Sequence, residues 1–229
     1  MAIAIIPARS GSKRIPLKNI KEFCGKPIIS YAISTALLSN TFDKIIVSTD
    51  SETIASMATD LGASVPFLRK KELSDDYTGT ACVMSDTIKE LEKINIIDTY
   101  YCCIYATTPL LLSLDISLSF KEMNEKKADY CFAATTYDHP IQRALRIKND
   151  GRVAAFYPNE MIKRSQDLEI AYHDAGQFYW GKHDTWLTQP NIFNSNCVPY
   201  IIPRYRAIDI DTEEDWKQAE LIYSSLVHN

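Results

Sequence analysis

Ile5-Ile6-Pro7-Ala8-Arg9-Ser10-Gly11-Ser12-Lys13-Arg14-Ile15-Pro16-Leu17-Lys18-Asn19 is the stretch on which the reading of the fold turns. It leaves an apolar run, residues 2–6, that reads as a buried strand. It then enters a loop with four cations, two serines and one glycine. A triphosphate needs clustered positive charge and backbone N–H groups that can approach it closely, and such a loop supplies both. A merely solvated basic loop would not need Pro7, Pro16 and Gly11 to fix its path. The spacing is not that of a P-loop, because Gly11 and Lys13 are separated and no G-K-[ST] follows. Nor does the chain contain the G-x-G-x-x-G of a dinucleotide fold.

Outward from this loop, short apolar runs alternate with amphipathic stretches. Strands are expected at 2–6, 44–48, 64–67, 100–106, 130–136 and 175–181. Helices are expected at 27–39, 51–61, 79–93, 114–125 and 212–226. Gly62 suits the position after a helix C-terminus. Thr212 with Asp215 three residues on has the form of a capping box. The β-α-β-α order implies an α/β class: a Rossmann-like, mostly parallel sheet flanked by helices, with ligands beyond the strands' carboxyl ends. Periodicity weakens over 137–173, where a hairpin around Asp150-Gly151 is expected within 144–156. The whole chain, 1–229, therefore reads as a single domain with an arm inside 137–173. The apolar Ile141, Leu145, Phe156 and Tyr157 in that arm call for a partner surface, which points to a homodimer.

Bulk properties narrow the function. The chain has 229 residues, 46 % of them hydrophobic, enough for a sizeable core. Its net charge of −4 argues against nucleic acid as a partner. Pro7 and Arg9 end the opening apolar run too soon for a secretory or membrane segment, so a cytoplasmic location and no membrane partner are expected. Six cysteines stand without C-x-x-C spacing and read as buried, reduced thiols.

Four further motifs carry chemistry. In Asp209-Ile210-Asp211-Thr212, carboxylates two apart on extended chain point the same way and can share a hard cation, though Asp211 or Thr212 could equally cap the last helix. Tyr105-Ala106-Thr107-Thr108-Pro109-Leu110 ends an apolar strand, where its hydroxyls suit a sugar or a base. An ordinary strand-to-helix turn would read the same. In Tyr172-His173-Asp174-Ala175-Gly176-Gln177-Phe178-Tyr179-Trp180-Gly181, aromatics and an amide alternate as carbohydrate sites require, although core packing explains some of the rings. The His173-Asp174 pair lacks a G-x-S-x-G elbow and does not read as a hydrolytic triad. Arg69 follows a strand and is placed for a phosphate or a ribose-binding loop.

The opening loop, followed by Gly25-Lys26-Pro27-Ile28, resembles the start of the CMP-sugar-acid synthetases, the sialic, pseudaminic and legionaminic acid cytidylyltransferases. The likeness continues through Val47-Ser48-Thr49-Asp50, the stretch from Arg69 to Thr80, the turn from Tyr105 to Leu110, and Asp209-Ile210-Asp211-Thr212. It implies transfer of CMP from CTP to a nine-carbon sugar acid with release of pyrophosphate, for activated-sugar biosynthesis. Arg9, Ser10, Gly11, Lys18, Asn19, Arg69 and Thr80 would hold CTP. Asp209 and Asp211 would hold Mg2+, and Tyr105, Thr107, Gln177 and Tyr179 would face the sugar acid. Arg9, Lys13 and Asp211 would carry the catalysis, with Asp211 or a metal-bound water a candidate acceptor of the hydroxyl proton. The resemblance also implies a dimerisation arm. Tyr105 stands where sialic acid enzymes commonly carry glutamine, and the surrounding motifs look most like the pseudaminic acid branch. N-acetylneuraminic, legionaminic and 3-deoxy-octulosonic acid are the alternative substrates. A non-catalytic nucleotide-binding regulator is the alternative of another class, against which the intact Arg9, Lys18, Asn19, Asp209 and Asp211 stand.

Overall fold

In a computed structural model that describes residues 2–188, 191–194 and 196–227, the opening apolar run is strand β1 (Ala2–Pro7). A small hairpin follows, β2 (Glu22–Phe23) and β3 (Lys26–Pro27), whose turn residues Cys24 and Gly25 both have positive φ. That is the backbone twist a two-residue hairpin needs. The chain continues through α1 (Ile29–Leu38), β4 (Lys44–Ser48), α2 (Glu52–Asp60), α3 (Thr80–Lys93), β5 (Tyr100–Ile104), α4 (Ser113–Glu125) and β6 (Tyr130–Thr136). A second hairpin, β7 (Leu145–Ile147) with β8 (Val153–Ala155), precedes β9 (Tyr172–Lys182), α5 (His183–Thr188), β10 (Cys197–Ile201) and α6 (Glu213–Val227).

Six strands form the main sheet in the order β10-β6-β9-β5-β1-β4. All pairings are parallel except those of β9, which runs antiparallel between β5 and β6. The two faces of β1 explain its unbroken apolar run. Ala2, Ala4 and Ile6 join a core with α1, α2 and α4, while Ile3 and Ile5 join a core with α3 and α5. Ile5 is fully buried, and truncating it to alanine would cost about 2–5 kcal/mol.

Element ends follow local chemistry. α2 stops where Gly62 takes φ 94°, a left-handed conformation that glycine adopts without a Cβ clash. Thr212 and Asp215 form the expected reciprocal cap of α6: the Asp215 N–H donates to Thr212 Oγ1 at 3.2 Å and the Thr212 N–H to Asp215 Oδ2 at 2.7 Å. The expected hairpin in 144–156 is β7–β8, turning at Gly151 with φ 78°. Two expectations change. Pro27 belongs to the small hairpin, so the first helix begins at Ile29. Residues 64–67 make only a single bridge, Ser64 to Ile46. Of the six free cysteines, Cys102, Cys103 and Cys131 are buried as expected, whereas Cys24 and Cys82 are exposed. Among the described residues no helix is long and apolar enough to cross a membrane.

One irregularity matters for the site. Between the pairs Phe132↔Tyr179 and Ala134↔Asp174, β6 advances two residues while β9 advances five. The surplus bulges outward at Gly176, whose φ is 61°. A Cβ at Gly176 would lie 3.5 Å from Asp209 Cγ, so the bulge brings β9 against the Asp209 segment.

Candidate active site

A cavity of about 480 Å³ opens at the carboxyl ends of β1 and β5 and is lined largely by cations and hydroxyls. From the opening loop come Arg9, Ser12, Lys13, Arg14, Lys18 and Asn19. Opposite stand Arg69, the 73–78 loop, and Thr80 in the first turn of α3, with Tyr105, Ala106 and Thr107 as the floor. The N-terminal end of α3 adds unpaired backbone N–H groups and the positive end of its dipole.

The loop's path is fixed by hydrogen bonds. Ser10 is tied to Asp50 at the end of β4 through its N–H and its hydroxyl, each 3.0 Å from a carboxylate oxygen. Asn19 Nδ2 donates to the Arg9 carbonyl at 2.9 Å. Lys18 Nζ donates to the Ile210 carbonyl at 2.7 Å and lies 3.3 Å from Asp211 Oδ1, while Arg14 holds Asp211 Oδ2 at 2.7 Å. Asp76 takes Arg9 on one oxygen at 2.7 Å and Lys13 on the other at 2.5 Å. Those two cations, Lys13 first, hold the Asp76 carboxyl below the usual range. Arg69 is buried behind this wall, its N–H on the Thr49 carbonyl at 2.7 Å and its Nε on Ser74 at 3.0 Å. Burial lowers its pKa, and Asp50 opposes that shift.

Asp209 and Asp211 flank buried Ile210. The Asp209 carboxyl is open to solvent on one side and crowded by protein on the other. That crowding, with Asp211 and Asp174 nearby, raises its pKa, and Lys18 and Arg14 only partly offset the rise. Two hard oxygen donors in such a field fit Mg2+. Among the described residues no group of three or more His, Cys, Asp or Glu side chains is arranged for a metal ion. Asp209 and Asp211 are the side chains that would hold such an ion.

The structure thus gathers Arg9, Lys13, Lys18, Asn19, Arg69, Thr80, Tyr105 and Thr107 around one cavity, with Asp211 joined to it through Arg14 and Lys18. It places Ser10 and Gly11 differently: Ser10 braces the loop against Asp50, and Gly11 is exposed with open space around it. Gln177 is not among the lining residues. Its side chain is buried and its Nε2 donates to the Arg206 carbonyl. Tyr179 is also buried, its hydroxyl on Asp174. Because β9 is antiparallel, its opening half, not its carboxyl end, meets the cavity edge of the sheet.

Three roles escape a reading of the sequence. Asp76 is the cavity anion that pairs with both Arg9 and Lys13. Arg14 is the bridge to Asp211. Arg206, buried with Asp115, anchors the segment leading to Asp209. Arg14 was legible as a fourth cation of the loop, whereas Asp115 and Arg206 lie 91 residues apart and only folding joins them.

The description "Cytidylyltransferase" belongs to the family profile that matches residues 3–225. A pseudaminic acid cytidylyltransferase of Campylobacter jejuni is 42 % identical over 96 % of this chain and 95 % of its own. A CMP-N,N'-diacetyllegionaminic acid synthase of Legionella pneumophila is also 42 % identical, over 95 % of this chain and 94 % of its own. The fold is similar to that of a CMP:2-keto-3-deoxy-manno-octonic acid synthetase solved in complex with CTP. The TM-score is 0.72 at 14 % identity, over 98 % of this chain and 99 % of that one.

Proposed function

The chain belongs to the cytidylyltransferase family, and we propose that it transfers CMP from CTP to a nine-carbon sugar acid, pseudaminic acid, releasing pyrophosphate. The observation that carries this reading is the cavity in which Arg9, Lys13, Lys18 and Arg69 converge beside the Asp209–Asp211 pair. It is joined by near full-length identity to a pseudaminic acid cytidylyltransferase.

In this reading the triphosphate displaces Asp76 from Arg9 and Lys13 and takes its place between them. Lys18 and Asn19 fix the loop against it, and Arg69 and Thr80 close the nucleotide side. The sugar's anomeric oxygen bonds to the α-phosphorus while the bond to the pyrophosphate oxygen breaks. Arg9 and Lys13 neutralise the leaving pyrophosphate. Asp211, tied to the loop through Arg14 and Lys18, is the candidate to accept the hydroxyl proton. A magnesium ion held by Asp209 and Asp211 would supply Lewis-acid stabilisation of charge on the phosphate oxygens. The sugar acid lies toward Tyr105 and Thr107, and residues 137–173 form the arm of a homodimer.

The equal identity to the legionaminic acid synthase supports a second reading, in which that acid is the substrate. One assay separates the two: pyrophosphate release with CTP and, in turn, pseudaminic, legionaminic, N-acetylneuraminic and 3-deoxy-octulosonic acid. The expected result is the highest kcat/KM for pseudaminic acid. Equal or better use of another acid overturns the substrate, and no release with any acid overturns the reaction.

A further inference from the structure

A second cavity, of about 350 Å³, opens on the same edge of the sheet as the first. β5 and β6 run in the same direction, since each is antiparallel to β9 between them. Thr135 and Thr136, at the carboxyl end of β6, line the second cavity, as Tyr105, just past β5, lines the first. Strands in a sheet lie about 4.8 Å apart, so the two cavities stand roughly 10 Å apart along that edge. Asp209 lies between them, against the β9 bulge at Gly176. Ala207 lines the second cavity and precedes Asp209 by two residues, a span of at most about 7 Å.

The lining has a definite donor and acceptor pattern. The Tyr137 and His173 rings pack with centroids 4.8 Å apart and make an aromatic wall. His173 Nδ1 lies 2.9 Å from the Asp174 carbonyl. A carbonyl only accepts, so Nδ1 carries the hydrogen, and in the neutral ring Nε2 is left as a lone pair. Arg204 Nε donates to Asp138 Oδ1 at 2.9 Å and its Nη1 to the Tyr137 carbonyl at 3.3 Å. Among the described residues Nη2 has no partner, so the guanidinium keeps a donor for a ligand. The Thr135 hydroxyl, by contrast, is spent on the Ile202 carbonyl at 2.9 Å.

We infer that this second cavity binds the end of the sugar acid remote from its anomeric carbon and selects an acylamino group there, with its carbonyl oxygen on Arg204, its N–H on His173 Nε2 and its methyl group against the Tyr137 ring. The inference rests on the proposed transfer of CMP to a sugar acid. An acylamino group has the set of features that matches this lining: an acceptor, a donor and a small apolar end. A hydroxyl in its place leaves one of the two partners unmatched and the ring uncovered, and a site built to pair with a group rejects an analogue that lacks it.

The chemistry of the reaction gives the direction. An in-line displacement brings the attacking oxygen in opposite the leaving pyrophosphate. With the pyrophosphate on Arg9 and Lys13, the acid extends away from the opening loop, past Tyr105 and over β9 toward β6. Its carboxylate and its reacting hydroxyl share the anomeric carbon, so both stay beside the α-phosphorus. The ring and the exocyclic chain then cover the roughly 10 Å to the second cavity. Arg204 and His173 touch the acid far from the reacting atoms, so they govern its binding and not the chemical step.

The test measures Kd by calorimetry on enzyme loaded with the α,β-methylene analogue of CTP, which cannot react. Two ligands are compared: pseudaminic acid, and an analogue with a hydroxyl in place of the exocyclic acylamino group. The wild type is expected to bind the acylamino acid about ten-fold more tightly. Arg204→Lys keeps a charge for Asp138 but loses the planar fork, and His173→Phe keeps a ring against Tyr137 but loses Nε2. Each variant is expected to weaken the acylamino acid by about ten-fold and the hydroxyl analogue by less than about two-fold. In turnover the loss should appear in KM for the acid, with kcat and KM for CTP kept. Equal weakening of both acids, the mark of a structural effect, overturns the inference, and so does no weakening of either. Pyrophosphate release by the wild type alongside either of those results leaves the reaction standing and removes only the second cavity from it. No release with any acid removes the reaction and, with it, the inference.

Discussion

Arg9 Nη1 lies 2.7 Å from Asp76 Oδ1, so the first cation after β1 is already matched to an anion on the opposite wall of the cavity. Lys13 occupies the same carboxylate's other oxygen. Asp76 therefore holds both cations where a phosphate would need them, and it competes with that phosphate. Asp76→Asn is expected to tighten CTP binding by roughly two- to five-fold at low salt, a gain that fades as ionic strength rises. Arg9→Ala is expected to weaken CTP by about ten-fold or more, with little effect on the sugar acid. Calorimetric titration with CTP and steady-state KM values for both substrates check this pair. A rise confined to the sugar KM would place the nucleotide elsewhere.

Asp211 ties Arg14 and Lys18 to the segment that bears the candidate metal pair. Asp211→Asn is expected to lower kcat by about 10²–10³-fold, with CTP binding largely kept, because the lost stabilisation belongs to the transition state. Circular dichroism should show an unchanged fold. Near-normal kcat at saturating magnesium would refute the assignment.

Arg206 and Asp115 form a buried bidentate pair, 7 % and 4 % exposed, that pins the segment before Asp209 to α4. Removing one partner strands the other charge away from water. Arg206→Ala is expected to cost about 3–5 kcal/mol in denaturant unfolding, and Arg206→Met less if Asp115→Leu accompanies it. A loss below about 1 kcal/mol would mean that Asp115 finds water or another donor.

His183 sits between Glu92 at 2.8 Å and Asp184 at 2.7 Å, joining α3 to α5. Burial opposes its charge, but Asp184 and Glu92 outweigh that and raise its pKa. A raised histidine pKa adds stability below its unfolded value, and that stability is lost as pH rises through the folded value. The wild type should therefore lose stability relative to His183→Gln as pH rises from below the unfolded value of about 6.5 through the folded one, by less than about 1 kcal/mol since the pair is partly exposed. A constant difference across that range would show that the imidazole stays in one state.

Residues 137–173 expose Ile147, Val153, Phe156, Ile162 and Ile170, all of them more than half exposed. So many apolar side chains on one short segment support the proposed dimer arm. Light scattering at micromolar concentration is expected to give twice the chain mass, and Ile147→Asp with Phe156→Asp to give the monomer. A monomeric wild type would remove the arm from the proposal.

The sheet was legible because its determinants are local. An apolar run buried on both faces, a glycine after a helix, a Thr-x-x-Asp cap and an Asp-Gly turn each constrain their own few residues, and they agree with one another. The cationic loop was legible too, since four charges after a strand have few structural uses. The antiparallel β9 was not, because a run buried on both faces looks the same in either direction, and only its pairing with β5 and β6 decides it. The fate of Gln177 followed from that pairing and from the bulge at Gly176, which send the amide to the Arg206 carbonyl instead of the cavity. In the same way, sequence alone marked Tyr105 and Tyr179 as hydroxyls near a sugar. That Tyr179 is buried with its hydroxyl on Asp174, while Tyr105 meets Thr80 at the cavity wall, was decided only by the tertiary structure, because the β9 bulge and the packing of α3 against β5 bring these partners together.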